Sequence, residues 1–156
     1  MTENEAISRL QKICSQQEKC LHDINKKLIE WKIPVRQAKN ILEKLLNDKF
    51  VDELRYSKSF VRDKFKFNEW GKIKLTHALR QKKIDERIIQ DALAEIDETE
   101  YHSSVIKMMR KKMKTLKDKD MIVIKVKLIK FVQSKGFEYH IIQQALQTVL
   151  KEDSHQ

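Results

Sequence analysis

The residues able to do acid–base, metal or nucleophilic chemistry are scattered along this chain. The five histidines are His22, His77, His102, His140 and His155. None falls in an HExxH arrangement or beside a nucleophile. Cys14 and Cys20 are the only cysteines. Their spacing is not CxxC, and His22 does not complete a zinc set. They are expected as reduced thiols facing a helical core. The only glycines are Gly71 and Gly136, so no glycine-rich loop is available to cradle a phosphate. Carboxylates such as Asp52 and Glu53, or Asp63 and Glu69, read as helix caps and surface ion pairs. The expectation is a protein that is not an enzyme, with no cofactor and no metal. Its function is to bind.

What it has to bind with is positive charge. The chain carries 33 Lys and Arg against 23 Asp and Glu, a net charge of +10. Charge alone leaves open a solvated surface or an anionic partner, nucleic acid or acidic protein. The basic residues fall into three groups. Arg62, Lys64, Lys66, Lys72 and Lys74 surround the aromatics Phe65, Phe67 and Trp70. Arg80, Lys82, Lys83 and Arg87 sit at a chain corner. The third group is Lys107, Arg110, Lys111, Lys112, Lys114, Lys117 and Lys119, of which Lys107, Arg110, Lys111 and Lys114 share one helix face, with Ile106, Met109 and Met113 on another. The segment 98–156 holds twelve Lys and Arg against seven Asp and Glu, about half the net charge. Such unevenness favours an electrostatic footprint. Phe67 and Trp70 have the chemistry to stack on bases, with a packing role for Trp70 the competing reading.

The elements that position these side chains are helices. A chain of 156 residues, rich in Lys, Leu, Ile and Glu, with one proline and two glycines, has little material for hairpin turns. Three segments align without gaps: Ile24–Leu45, Leu75–Ile96 and Leu128–Val149. Their apolar positions coincide: Ile24, Leu75 and Leu128; Leu28, Leu79 and Val132; Ile33, Ile84 and Phe137; Ala38, Ile89 and Ile142; Ile41, Ala92 and Ala145; Leu42, Leu93 and Leu146; Leu45, Ile96 and Val149. Spacings of three, four and seven residues place one apolar stripe on each helix. A short corner divides each copy, at Trp31–Pro34, Lys82–Asp85 and Lys135–Glu138. Pro34 opens a helix at its first turn, Asp85 caps the next helix, and Gly136 ends the one before it in a left-handed conformation.

A further helix precedes each copy, over Glu5–Cys14, Asp52–Phe65 and Thr99–Leu116. The inward residues are expected to be Ile7, Leu10 and Cys14, then Tyr56, Phe60 and Val61, then Ile106, Met109, Met113 and Leu116. The fold class is therefore all-α: three tandem three-helix, helix-turn-helix-like repeats forming an elongated curved array. The repeats are placed at 1–48, 49–97 and 98–156, the last the most basic. Met121–Ile129 alternates like a strand, but the repeat register makes it a helix. The N-terminus lacks the basic and apolar regions of a signal peptide, and no apolar run reaches the ~18 residues of a membrane span. A soluble cytoplasmic protein is expected. Helix-turn-helix corners of this composition suit phosphate contact, with strong salt dependence and little sequence preference.

The run Phe50-Val51-Asp52-Glu53-Leu54-Arg55-Tyr56, then Ser59-Phe60-Val61, Trp70-Gly71-Lys72-Ile73 and Leu79-Arg80-Gln81-Lys82-Lys83-Ile84, resembles the signature of the RecX family, bacterial regulators of the RecA recombinase. The likeness covers nearly the whole chain. Ser57 stands where the family usually has Ala, and Lys83 where it usually has Gly. The resemblance implies a protein that lies in the helical groove of the RecA–DNA filament, limits its growth, and damps strand exchange, ATP hydrolysis and the co-protease activity behind the SOS response. It implies the RecA filament as partner, with single-stranded DNA as a second, no membrane, and a monomeric chain. The motif residues Phe50, Asp52, Arg55, Tyr56, Phe60, Trp70 and Gly71 are read as mainly structural. Asp52 is an N-cap, Tyr56 packs inward, and Arg55 makes an ion pair or inter-repeat contact. The filament- or DNA-binding surface is assigned to Arg62, Lys64, Lys66, Lys72, Lys74, Arg80, Lys82, Lys83, Lys107, Arg110, Lys111 and Lys114. The competing function is a DNA-binding protein without sequence preference that acts without a recombinase.

Overall fold

The computed structural model describes residues 1–154; His155 lies outside them. Among the described residues there are nine helices and no strand. They are α1 (Glu3–Gln16), α2 (Leu21–Glu30), α3 (Val35–Asn47), α4 (Glu53–Asn68), α5 (Lys72–Gln81), α6 (Glu86–Leu93), α7 (Glu98–Met113), α8 (Met121–Ser134) and α9 (Tyr139–Ser154). The fold is all-α, built from tandem three-helix repeats. The repeat register accounts for its core. Every matched apolar position is buried, except Leu42, which is half-buried.

The first helix of each repeat starts on a capping oxygen. Thr2 Oγ1 accepts from the Glu5 amide, Asp52 Oδ1 from that of Arg55, and Asp97 Oδ1 from that of Glu100. These caps satisfy amide protons that the helix itself cannot. Asp85 caps α6 through the Arg87 amide at 2.8 Å, and Asp120 caps α8 through that of Ile122 at 2.9 Å. With that cap in place, the alternating Met121–Ile129 stretch is helical and buries Ile124, Leu128 and Val132 at four-residue spacing.

The three corners share one backbone solution. Lys32, Lys83 and Gly136 all have positive φ, at 57°, 60° and 89°. In the first two, a six-residue hydrogen bond closes the turn, from Ile33 N to Leu28 O (3.0 Å) and from Ile84 N to Leu79 O (3.2 Å). The buried pairs Ile33/Leu28 and Ile84/Leu79 supply the apolar contact that accompanies this motif. Lys83 thus holds the left-handed conformation without glycine. Pro34 is the N-cap of α3, one position earlier than expected.

The inward faces of all three leading helices differ from expectation; on α4, Tyr56 and Val61 are buried but Phe60 is only half-buried. On α7 the buried residues are Tyr101, Val105, Met108 and Met109, while Ile106 and Met113 are half-buried. The helix ends at Met113, so Lys114 is its C-cap and Leu116 lies beyond it. The stripe is set from the N-terminal end, by Tyr101. On α1 the fully buried residues are Ala6 and Leu10, with Ile7 and Cys14 packed at the margin.

The chain divides into two compact units. One comprises Met1–Phe60 and Leu79–Ala92, and its core contains Ala6, Leu10, Ile24, Leu28, Ile41 and Leu45. In the other, Val61–Ala78 joins the residues from Leu93 onward. There α7 packs on α8 and α9, around Tyr101, Met109, Leu128 and Phe137.

Candidate functional site

The motif residues and several of the basic ones are tied up in contacts between repeats. In the first unit, Arg55 points back to the first repeat. Its Nε meets Glu18 Oε1 at 2.6 Å and its Nη2 donates to Lys49 O at 3.0 Å. The Leu21 amide, the first of α2, donates to Glu53 Oε1 at 2.7 Å. Burial pushes the Glu53 carboxyl up. Lys82 Nζ reaches Asp23 Oδ1 at 2.6 Å. Burial works against the Asp23 carboxylate, but hydrogen bonds from Lys82 and Cys20 hold it below its usual range. Tyr56 is buried with its ring 6.0 Å from Phe60, and Phe50 packs half-buried on the first-repeat core. Cys20 is buried and its thiol is pushed up to about 11, chiefly by that burial; Cys14 is half-buried and also free.

The second unit repeats the arrangement with other residues. The Lys72 amide, the first of α5, donates to the Tyr101 hydroxyl at 2.8 Å. That hydroxyl donates in turn to Glu138. Burial, then this bond, keeps the phenol protonated far above its ordinary range. Lys72 Nζ pairs with Glu98 at 2.6 Å and lies 4.7 Å from the Tyr101 ring centre. Tyr101 also stacks on Phe65 and Phe137, at 5.8 and 5.0 Å. The two glycines meet here. Gly71 N donates to Lys135 O at 2.7 Å and Ile73 N to Gly136 O at 2.9 Å. Trp70 is half-buried between the ammonium groups of Lys64 (5.1 Å) and Lys74 (4.9 Å). In both units, then, the second helix of one repeat begins on a side chain from the first turn of the next repeat's first helix.

These contacts sort the sequence-assigned basic residues. Lys72 and Lys82 serve joints, each paired with an acid. Lys74 lies over Trp70. Arg80 is held by Glu86 on the same corner, and Arg110 by Glu152. Lys66 lies 5.6 Å from the ring of Phe67, which is 72% exposed. Arg62 and Lys83 are exposed, Arg62 with its neighbour Asp63 at 4.0 Å. On α7 and its cap, Lys107, Lys111 and Lys114 are exposed at four- and three-residue spacing, which puts them on one face. Among the described residues no group of three or more His, Cys, Asp or Glu is placed to hold a metal ion. No described helix is long and apolar enough to cross a membrane.

Of the joint residues, Glu53 lies in the Phe50–Tyr56 run, while Glu18, Asp23, Tyr101 and Glu138 carry no motif of their own. One signal was available: Asp97-Glu98 with Tyr101 repeats the spacing of Asp52-Glu53 with Tyr56 at the start of the preceding repeat's first helix.

The architecture defines an all-α protein of tandem three-helix repeats with a predominantly basic surface. Family models agree: the second three-helix domain of RecX matches residues 52–93, and the third matches 99–146. Together they cover more than half of the chain. The regulatory protein RecX of Clostridium botulinum (strain Eklund 17B / Type B) is 31% identical over 103 residues, 65% of this chain and 48% of that protein. Its counterpart in Clostridium perfringens (strain 13 / Type A) is 29% identical over 119 residues, 75% and 55% of the two chains. A crystal structure of a regulatory protein RecX superposes with a TM-score of 0.84 at 26% identity, covering 93% of this chain and 71% of that one. RecX from Lactobacillus salivarius has the same fold, with a TM-score of 0.85 at 20% identity over 94% and 96% of the two chains. The chain belongs to the RecX family of regulatory proteins. It spans about half the length of the curated relatives it matches.

Proposed function

We propose that this protein regulates a RecA recombinase by binding along the recombinase–DNA filament, damping ATP hydrolysis, strand exchange and co-protease activity without chemistry of its own. It acts through three repeats, 1–48, 49–97 and 98–156. The observation that carries the reading is the exposed Lys107–Lys111–Lys114 face of the most basic repeat. A row of lysines with no ion pair among the described residues suits a groove walled by DNA phosphates and acidic protein, and predicts salt-dependent binding with little sequence preference. Lys72 and Lys82 contribute through the joints, by holding adjacent repeats together.

The test is RecA ATPase on single-stranded DNA with the chain added below stoichiometry. Inhibition is expected, weakened about tenfold or more in K107E/K111E/K114E with helicity unchanged. Equal inhibition by that variant would place the contact elsewhere. A second reading rests on Phe67, exposed beside Lys66 at the end of α4: direct binding of single-stranded DNA with base stacking. Tight DNA binding lost in Phe67→Ala, with no effect on RecA, would favour it.

A further inference from the structure

The outward face of α8 has no role in the fold or in the reading above. Ile124, Leu128 and Val132 face the core. On another side of the same helix, Ile122 is 73% and Val126 44% exposed. Ile129, half-buried, and Gln133, exposed, continue that line. The steps of four, three and four residues are those of a coiled-coil seam, with Ile122 and Ile129 at d and Val126 and Gln133 at a. In that register Lys125 takes the g position and Lys130 the e position, one on each side of the seam. Both are exposed. The helix has no Asp or Glu before Ser134. Lys127, by contrast, is turned aside to Asp118 at 2.7 Å.

We propose that this face docks an amphipathic helix of a partner protein, apolar along its seam and acidic at its flanks. The charge identifies the occupant. A second copy of this chain would set lysine against lysine at both flanking positions, which disfavours self-pairing. A membrane-lying face is broader and carries large aromatic or leucine side chains, whereas this stripe is one residue wide. Nucleic acid gains nothing from its β-branched centre. A helix with glutamates at e and g meets both lysines while its leucines cover Ile122, Val126 and Ile129. The surface is separate from the lysines of α7, so the proposal stands or falls independently of the recombinase reading.

The test uses the full chain and a labelled synthetic helix of about three heptads, with Leu at a and d and Glu at e and g. A matched helix carries Lys at e and g. Fluorescence anisotropy is expected to show binding of the Glu helix, with the Lys helix weaker by about tenfold or more. I122S/V126S, at exposed positions, should abolish binding with the melting curve unchanged. K125E/K130E should reverse the preference, so that the Lys helix binds better. The proposal is overturned if the Glu helix does not bind, or if both helices bind equally. It is also overturned if sedimentation shows the wild type self-associating through Ile122 and Val126. Binding to phosphatidylserine vesicles that depends on the same residues, in the absence of helix binding, would reject it as well.

Discussion

Replacing Gly71 by alanine should loosen the joint between the second and third repeats. An added Cβ would lie 2.5 Å from Gly136 O and 2.6 Å from both Gly136 C and Phe137 N. All three are backbone atoms, so no side chain can swing aside. Ordinary contact starts at 3.4 Å, so the two backbones must part by the difference, 0.9 Å. The bonds Gly71 N to Lys135 O and Ile73 N to Gly136 O, now 2.7 and 2.9 Å, would then exceed hydrogen-bonding range. Overpacking of a tight site costs roughly 1–3 kcal/mol, and a buried polar group left unpaired costs about 1–3 kcal/mol. These terms overlap, because separation relieves the clash, and a net loss of about 3 kcal/mol is expected. Urea unfolding reads the total. Amide exchange at Gly71 and Ile73 reads the mechanism, since both should lose protection before the rest of α5. A loss below about 1 kcal/mol with both amides still protected would refute the steric account.

Tyr101→Phe keeps the ring stack but leaves the Lys72 amide and Glu138 without the hydroxyl; a loss of about 2 kcal/mol is expected by thermal melting. Ser57 is fully buried and its hydroxyl has no hydrogen-bond partner among the described residues. Ser57→Ala should therefore stabilise the chain by about 1 kcal/mol, and a destabilised variant would show that the hydroxyl is satisfied. Lys83→Gly relieves a left-handed lysine at φ 60° and should gain about 0.5–1 kcal/mol after glycine's larger entropy loss, read as a raised urea midpoint. The folded Asp23 value lies below its ordinary one. Its pairing with Lys82 therefore stabilises at neutral pH and loses this effect as pH falls through the folded value. Lys82 is 37% exposed, so the wild type should exceed Asp23→Asn by only about 0.5–1 kcal/mol at neutral pH. The gap should close in acid; a gap independent of pH would exclude the ion pair as its source.

The apolar register was legible because helical periodicity is local. Ile24, Leu75 and Leu128 declare their faces through neighbours three and four residues away. The joints were not legible, because a polar partner across repeats leaves no local trace. Lys82 reads as a surface charge until Asp23, 59 residues away, is found beside it. Lys72 reads as part of a binding patch until Glu98 and Tyr101 are seen to hold it. The α7 stripe was misplaced for a related reason. Adjacent apolar residues at Ile106 and at Met108 and Met109 allow two phases, and only the packing of Tyr101 selects between them. The corner at Lys83 shows the reverse: a residue poorly suited to positive φ is carried by its surroundings.

The capping of α2 by Glu53 and of α5 by Tyr101 sets the sequence period and the cooperative period out of phase. A fragment cut after α3 would keep the first three helices and lose the acceptor for the second of them. One extended through the opening turn of α4 would retain it. Both first helices open on the same pattern, Asp52-Glu53 with Tyr56 and Asp97-Glu98 with Tyr101, so each repeat offers a glutamate and a tyrosine to its neighbour. The seam uses Glu53 in one unit and Tyr101 in the other, and that choice is made by packing rather than by which residues a repeat supplies.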